Sequence, residues 1–265
     1  MPTITRISAQ KRTGRYNVDI DGHYAFPVAE STLIKYMLAK DMELTDDQIE
    51  ALQHEDEGAR AFSKAVGYLA STPKTEHQVR EYLKGKEFPD DAIDSATQRL
   101  RDMHYLDDVQ YTREFIAGND RGGDRGPGAI RRWLNQRGVN SDVIEAALAE
   151  QTEEEQLAIA RRVVKKVLRS PGSRSFSALI QRAHQTMMQK GFDHAVAMRA
   201  IELEEPEPDT EREDDLLREQ AAKVWRQKRS FEPFQRRMKA KQALYRKGFD
   251  LDAIDRVLDD LANDE

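Results

Sequence analysis

A six-residue phrase returns along this chain at nearly even intervals, and it constrains the fold more than any other feature. Leu134-Asn135-Gln136-Arg137-Gly138-Val139 recurs as Met187-Met188-Gln189-Lys190-Gly191-Phe192 and as Leu244-Tyr245-Arg246-Lys247-Gly248-Phe249. A fainter copy, Leu83-Lys84-Gly85-Lys86-Glu87-Phe88, has glutamate where the others have glycine. Each copy reads as one corner: a helix ends on a base, glycine supplies the left-handed cap conformation, and an apolar residue plugs the turn. Asp90, Asn140, Asp193 and Asp250 then start the next helix. Ile93, Ile144, Ala197 and Ile254 fall at one common offset beyond. The corner positions Glu87, Gly138, Gly191 and Gly248 are 51, 53 and 57 residues apart, which leaves room for three short helices in each interval. This period predicts a mainly all-α chain of tandem three-helix repeats, an elongated, curved array with long concave surfaces.

Only the start reads as strand. Ile4 and Ile7, then Tyr16, Val18 and Ile20, then Tyr24, Phe26 and Val28 alternate with polar residues, and Asp21-Gly22 suits a type I′ hairpin turn. One helix is expected from about Glu30 to Ala39 and another after Thr45. These features outline a small N-terminal β-hairpin/helix extension over 1–57, followed by repeats at 58–106, 107–150, 151–204 and 213–265. Glu204 to Asp214, with Pro206 and Pro208, reads as the linker before the last repeat. The first helix of the third repeat should span Glu153 to Leu168 and bury Leu157, Ala160, Val164 and Val167; Ile254, Val257, Leu258 and Leu261 carry the same period in the fourth.

The net charge of −6 hides an uneven distribution. Gln156 to Phe192 contains no Asp or Glu, and includes Arg174, Arg182 and Lys190. Arg218 to Gly248 sets eleven Lys and Arg against Glu219 and Glu232. Two basic clusters are therefore candidate contacts to a nucleic acid or an acidic protein: Arg161, Arg162, Lys165, Lys166 and Arg169, and then Arg226, Lys228, Arg229, Arg236, Arg237, Lys239 and Lys241. The competing reading is two solvated helix faces balanced by the acidic linker. Trp133 follows the apolar spacing of its helix and is expected in the core. Trp225, Phe231 and Phe234 lie amid charge, where aromatic rings can stack on bases. Tyr105 and Tyr111 are expected to pack between the first two repeats.

No catalytic constellation emerges. Cysteine is absent, and the six histidines are scattered without a carboxylate at ligand spacing. Asp107-Asp108 sits where a helix starts, so capping is the better reading than acid/base work. Gly122 to Gly128 resembles a phosphate loop in glycine content alone; Pro127 fits the first turn of a helix carrying Ile130, Trp133 and Leu134. The chain reads as a non-enzyme without cofactor or metal. With no apolar run of membrane-spanning length and no secretory core near the N-terminus, a soluble cytoplasmic location is expected.

One stretch is more specific. Arg101-Asp102-Met103-His104-Tyr105-Leu106-Asp107-Asp108-Val109-Gln110-Tyr111 continues through Phe115 to Gly126-Pro127, and then through Ile130 and Leu134 to Arg137-Gly138-Val139. It closely resembles the signature of the RecX family, regulators of the RecA recombinase. Arg15-Tyr16, Asp21-Gly22, Phe26 and Val28 resemble the N-terminal extension of the longer members from low-GC Gram-positive bacteria. Glu87 departs from the glycine that the other three corners share. The resemblance implies tandem three-helix repeats, no cofactor, and binding to the RecA–DNA filament that limits its recombinase, ATPase and coprotease activity in DNA repair and the SOS response. A monomer that binds single- or double-stranded DNA only weakly, with no membrane partner, is the corresponding expectation. The rival is a sequence-independent nucleic-acid-binding repeat protein with no recombinase partner.

Overall fold

The computed structural model describes residues 1–11 and 13–263. Strands β1 (Ile4–Ala9), β2 (Arg15–Ile20) and β3 (His23–Ala29) form an antiparallel sheet in that order. Asp21 and Gly22 both take positive φ, 51° and 84°, as a type I′ turn requires. Ile4, Val18, Phe26 and Val28 point to the covered face and are buried. Helix α1 (Glu30–Lys35) is shorter than its pattern suggests. Met37 adopts a left-handed φ of 48°, Leu38 donates its N–H to the Leu33 carbonyl, and the Leu38 side chain is buried. A helix-ending corner therefore forms here without glycine.

A capping box at Thr45 starts α2 (Asp46–Leu69), which serves two cores. Leu52 packs with the sheet, whereas Ala61 and Ala65 pack with α3 (Glu76–Lys84) and α4 (Asp90–Asp102). Arg15 clamps the buried Asp56 of α2 through two bonds of 2.8 and 2.9 Å, and Asp56 also accepts the Ala29 N–H at 2.6 Å. A buried carboxylate satisfied this fully fixes the sheet edge to the helix.

Nine further helices follow among the described residues. The second repeat contains α5 (Asp108–Gly122), α6 (Pro127–Asn135) and α7 (Ser141–Ala149). The third contains α8 (Glu153–Leu168), α9 (Phe176–Gln189) and α10 (His194–Glu202), and the fourth α11 (Thr210–Gln227), α12 (Pro233–Tyr245) and α13 (Leu251–Asn263). Helix α11 thus begins inside the stretch expected to be linker, capped by Asp209. On α8, Ile159 and Val163 join Ala160 and Val164 in the core, while Leu157 and Val167 only border it. The chain divides into two compact units, residues 1–114 with 134–145 and residues 115–133 with 146–265.

The corners fold as their sequence implies. Glu87, Gly138, Gly191 and Gly248 have φ of 62°, 72°, 82° and 87°. Asp193 and Asp250 accept amides of the next turn, and Asn140 accepts the Asp142 N–H. At the first corner Pro89 takes the capping position instead, and Asp90 falls in the first turn.

Each glycine corner also sits on the second helix of the preceding repeat. Thr75, which caps α3, donates its hydroxyl to the Arg137 carbonyl at 2.6 Å; Ser175, which caps α9, does the same to the Lys247 carbonyl at 2.6 Å. The next amide of each helix goes to a carboxylate of the following repeat: Glu76 N–H to Asp108 at 3.0 Å, and Phe176 N–H to Glu213 at 2.9 Å. Between the second and third repeats backbone replaces side chain. The Gly126 N–H donates to the Lys190 carbonyl at 2.8 Å and the Gly128 N–H to the Gly191 carbonyl at 2.9 Å. The Gly122–Gly128 cluster therefore contains a seat for a corner.

The two ends of the series differ from its interior. Glu87 is exposed, with no repeat of this kind before it. At the other end α12 has Pro233 in its first turn, no side-chain cap at Glu232, and Phe234 left 77% exposed.

Candidate functional site

The acid-free segment folds into most of α8, α9 and their connection, and the carboxylates that reach it, Asp124, Glu204 and Glu213, come from other elements. Helix α9 carries Gln181, Arg182, Gln185, Thr186 and Gln189 at spacings of one to four residues, while Leu179, Ala183 and Met187 turn inward. Its outer face is thus amide and guanidinium with no acid.

Two open clefts flank this face and share Arg182 and Thr186. One, of about 700 Å³, is lined by the α9 glutamines with Arg174, Lys223 and Lys247, and no carboxylate lines it. The other, of about 670 Å³, is lined by Arg162, Lys166, Arg182 and Lys190, with Asp124 the one acid. Lys190 holds Asp124 at 2.6 Å, and this hydrogen bond keeps the Asp124 carboxyl below the usual carboxylate range. Its charge is therefore spent on a neighbour. Amide donors and unpaired cations around concave space suit a chain of phosphates or carboxylates, bound electrostatically and without sequence reading.

The two clusters chosen from sequence are distributed across several environments. On α8, Arg161 reaches Glu204 at 2.6 Å and Lys165 reaches it at 3.5 Å, with the Glu204 side chain only 8% exposed. Arg162 donates to the carbonyls of Asn119, Asp120 and Gly123 at 3.3, 2.9 and 3.1 Å, closing the end of α5, and still lines the cleft beside Lys166. Arg169 caps α8 and is exposed.

In the fourth repeat Arg236 is buried: its Nε donates to the Trp225 carbonyl at 3.1 Å and its guanidinium lies 4.0 Å from the centre of the Trp225 ring. Trp225 is thus a core residue. Arg237 pairs with Asp255 and Asp259, and Lys241 with Asp255. Lys239 lies over Phe231 at 4.6 Å. Arg226 and Arg229 are exposed and Lys228 is half-buried at the end of α11. The structure brings Arg162 and Lys166 into one cleft, and none of the seven from the fourth repeat lines either cleft.

Sequence reasoning left Arg174, Arg182 and Lys190 out of the site although they lie in the acid-free run, and it missed Lys223 and Lys247. The available signal was the glutamine-rich outer stripe of α9 at helical spacing. Aromatic expectations shift as well. Trp133 is half-buried and stacks on Phe115 at 3.8 Å, with Arg125 near both rings. Tyr105 is 54% exposed, whereas Tyr111 is half-buried and bonded to Arg137. Asp107 caps α5 by accepting the Gln110 N–H at 2.8 Å.

Among the described residues no helix is long and apolar enough to cross a membrane. Family models match along almost the whole chain: the regulatory protein RecX N-terminal domain at residues 2–45, and the first and second RecX three-helix domains at 61–100 and 107–148. The third three-helix domain matches twice, at 153–201 and 211–258. The regulatory protein RecX of Lacticaseibacillus casei (strain BL23) is 40% identical over 262 residues, covering 99% of both chains. That of Limosilactobacillus reuteri (strain DSM 20016) is 38% identical over 259 residues, covering 98% of both. A crystal structure of regulatory protein RecX, 35% identical, superposes with a TM-score of 0.64 over 74% of this chain and 97% of that one. With every repeat matched and the relatives aligned end to end, the chain belongs to the RecX family of regulatory proteins.

Proposed function

We propose that this protein regulates the RecA recombinase: it binds the RecA–DNA filament and limits recombinase, ATPase and coprotease activity during DNA repair and the SOS response. The observation that carries this reading is end-to-end similarity to proteins named regulatory protein RecX, with all four repeats retained. The clefts beside α9 supply a chemical basis. A filament on DNA carries phosphates along its length, and Lys166, Arg174, Arg182 and Lys223 match that charge. Arg169, Arg226 and Arg229 are further exposed cations of the third and fourth repeats. On this reading the protein is a cytoplasmic monomer, works without cofactor or chemistry of its own, and binds bare single- or double-stranded DNA only weakly.

The test is RecA-driven ATP hydrolysis on single-stranded DNA, titrated with the protein at moderate salt. Inhibition well below one molecule per RecA protomer is the expected result. Charge reversal at Arg182 and Lys223 together should raise the concentration needed by at least about tenfold, since each lost phosphate contact also reduces the salt slope. Inhibition only at DNA-saturating amounts would leave the rival, a repeat protein that competes for nucleic acid without contacting the recombinase.

A further inference from the structure

The first unit has clefts of its own, and their chemistry differs from that beside α9. One, of about 480 Å³, lies between the sheet and α2 and includes Arg15, Tyr24, Arg60, Lys64 and Phe88 in its lining. A second, of about 410 Å³, lies further along the same helix and includes Lys64, Gly67, Tyr68 and Tyr82. The two share Ser63 and Lys64, so they form one track along the outer face of α2. From Arg60 to Ser71 that face spans about 16 Å at the helical rise. No carboxylate lines either cleft. Asp56, the nearest buried acid, is consumed by Arg15 and the Ala29 amide.

The track is aromatic as well as basic. Tyr68 and Tyr82 are stacked at 4.1 Å with planes 5° apart. The Lys74 ammonium lies 5.3 Å from the Tyr68 ring and the Lys86 ammonium 5.6 Å from the Tyr82 ring. At the other end Tyr24 is 61% exposed, and Arg60 lies 5.7 Å from the Phe88 ring. Among the described residues, Arg60, Lys64, Lys74 and Lys86 have no carboxylate partner within ion-pair distance. A surface that combines flat rings with cations free of carboxylate partners fits a polymer of flat bases and phosphates. An acidic peptide would use the cations and leave the rings without a matching plane. Paired bases in a duplex hide the faces that such rings stack on.

We propose that the outer face of α2, from Tyr24 to the Tyr68–Tyr82 stack, is a single-strand nucleic-acid track. Bases stack on the exposed Tyr24 ring and, in place of the Lys74 and Lys86 ammoniums that lie over them, on the half-buried Tyr68 and Tyr82 rings; the displaced lysines join Arg60 and Lys64 on the phosphates. This site goes beyond the filament reading and needs no recombinase, so the two can fail separately.

The experiment measures binding of a fluorescein-labelled oligothymidylate of about 12 nucleotides, a length within the span of known single-strand sites, and of a blunt duplex of the same length. It uses the full chain carrying R182E and K223E, so that the clefts beside α9 do not dominate. Adding R60E and K64E should weaken oligothymidylate binding at least tenfold and move duplex binding less than twofold. Tyr24→Ala should weaken it by a few fold. Ultraviolet cross-linking of the oligothymidylate should map to Tyr68, Tyr82 or Tyr24. Equal losses on single strand and duplex, no loss on either, or displacement by polyglutamate as readily as by oligothymidylate would each overturn the proposal. Unchanged thermal unfolding of the charge variants separates lost binding from lost fold.

Discussion

At α3 and α9 a hydroxyl does what bare backbone does at α6. Thr75 and Ser175 each accept an amide of their own helix and donate outward to the corner of the next repeat, so one side chain caps a helix and joins two repeats. Asp108 and Glu213 then take the following amide. At α6 that amide does not exist, because Pro127 occupies the position. Gly126 and Gly128 donate directly, and Gly191 comes so close that an added Cβ would lie 2.2 Å from the Ala129 nitrogen. At the first junction the atoms that a Cβ on Gly138 would strike are Cγ and Cβ of His77, at 2.2 and 2.3 Å. A seat built from one side chain is relieved when that side chain is removed. A seat built from two backbones cannot be relieved in that way.

The contrast predicts a graded series. Gly191→Ala meets backbone and a left-handed φ together, and should destabilise the second unit by on the order of 3–4 kcal/mol. Both tryptophans lie in that unit, so their emission during urea unfolding reads it selectively. Gly138→Ala should cost about 2 kcal/mol, and His77→Gly, which removes both obstructing carbons, should recover part of that. No change at Ala129 should rescue Gly191→Ala, since the obstacle there is a backbone atom. Full rescue at Gly191, or none at Gly138, would break the comparison. Ser175→Ala and Thr75→Ala should each cost about 1–2 kcal/mol, through the lost cap and the unmet corner carbonyl.

Glu87→Gly, at the corner that has no seat, should be neutral or stabilising by up to about 1 kcal/mol, because only the strain of a left-handed glutamate is relieved. The smallest effects are in pH. Asp124 titrates below its ordinary value because Lys190 bonds it, so its contribution is present above that value and is lost as pH falls through the lowered one. Asp108 titrates above its ordinary value because burial disfavours its charge, so its contribution is lost as pH rises through the raised one. Asn variants at the two positions should therefore change the acid limb of unfolding in opposite directions, each by less than about 1 kcal/mol, since both groups keep some solvent screening.

The corners, the hairpin and the bounds of α8 were legible because each follows from local rules: a left-handed φ, an Asp-Gly pair, a 3.6-residue period. The seats were not. Thr75 and Arg137 are 62 residues apart, and nothing in either neighbourhood marks the bond between them. For the same reason the glycines near Gly126 resembled a phosphate loop in content alone, when they are the receiving surface of another repeat. The candidate site was half legible. Absence of acid located the segment that lines both clefts, but charge alone cannot tell an arginine in solvent from one satisfied at home. Arg162 ends on three carbonyls, Arg161 on Glu204 and Arg236 against Trp225, and these partners become neighbours only through folding.

One description matches both the third and the fourth repeat, yet their second helices begin differently, with Ser175 in one and Glu232-Pro233-Phe234 in the other. That difference leaves the fourth repeat without the receiving surface that its predecessors carry. A corner set against α12 would meet neither the hydroxyl that Ser175 offers nor the glycines that flank Pro127, but Glu232 and the exposed ring of Phe234, so a socket present in each earlier repeat is blank in the fourth.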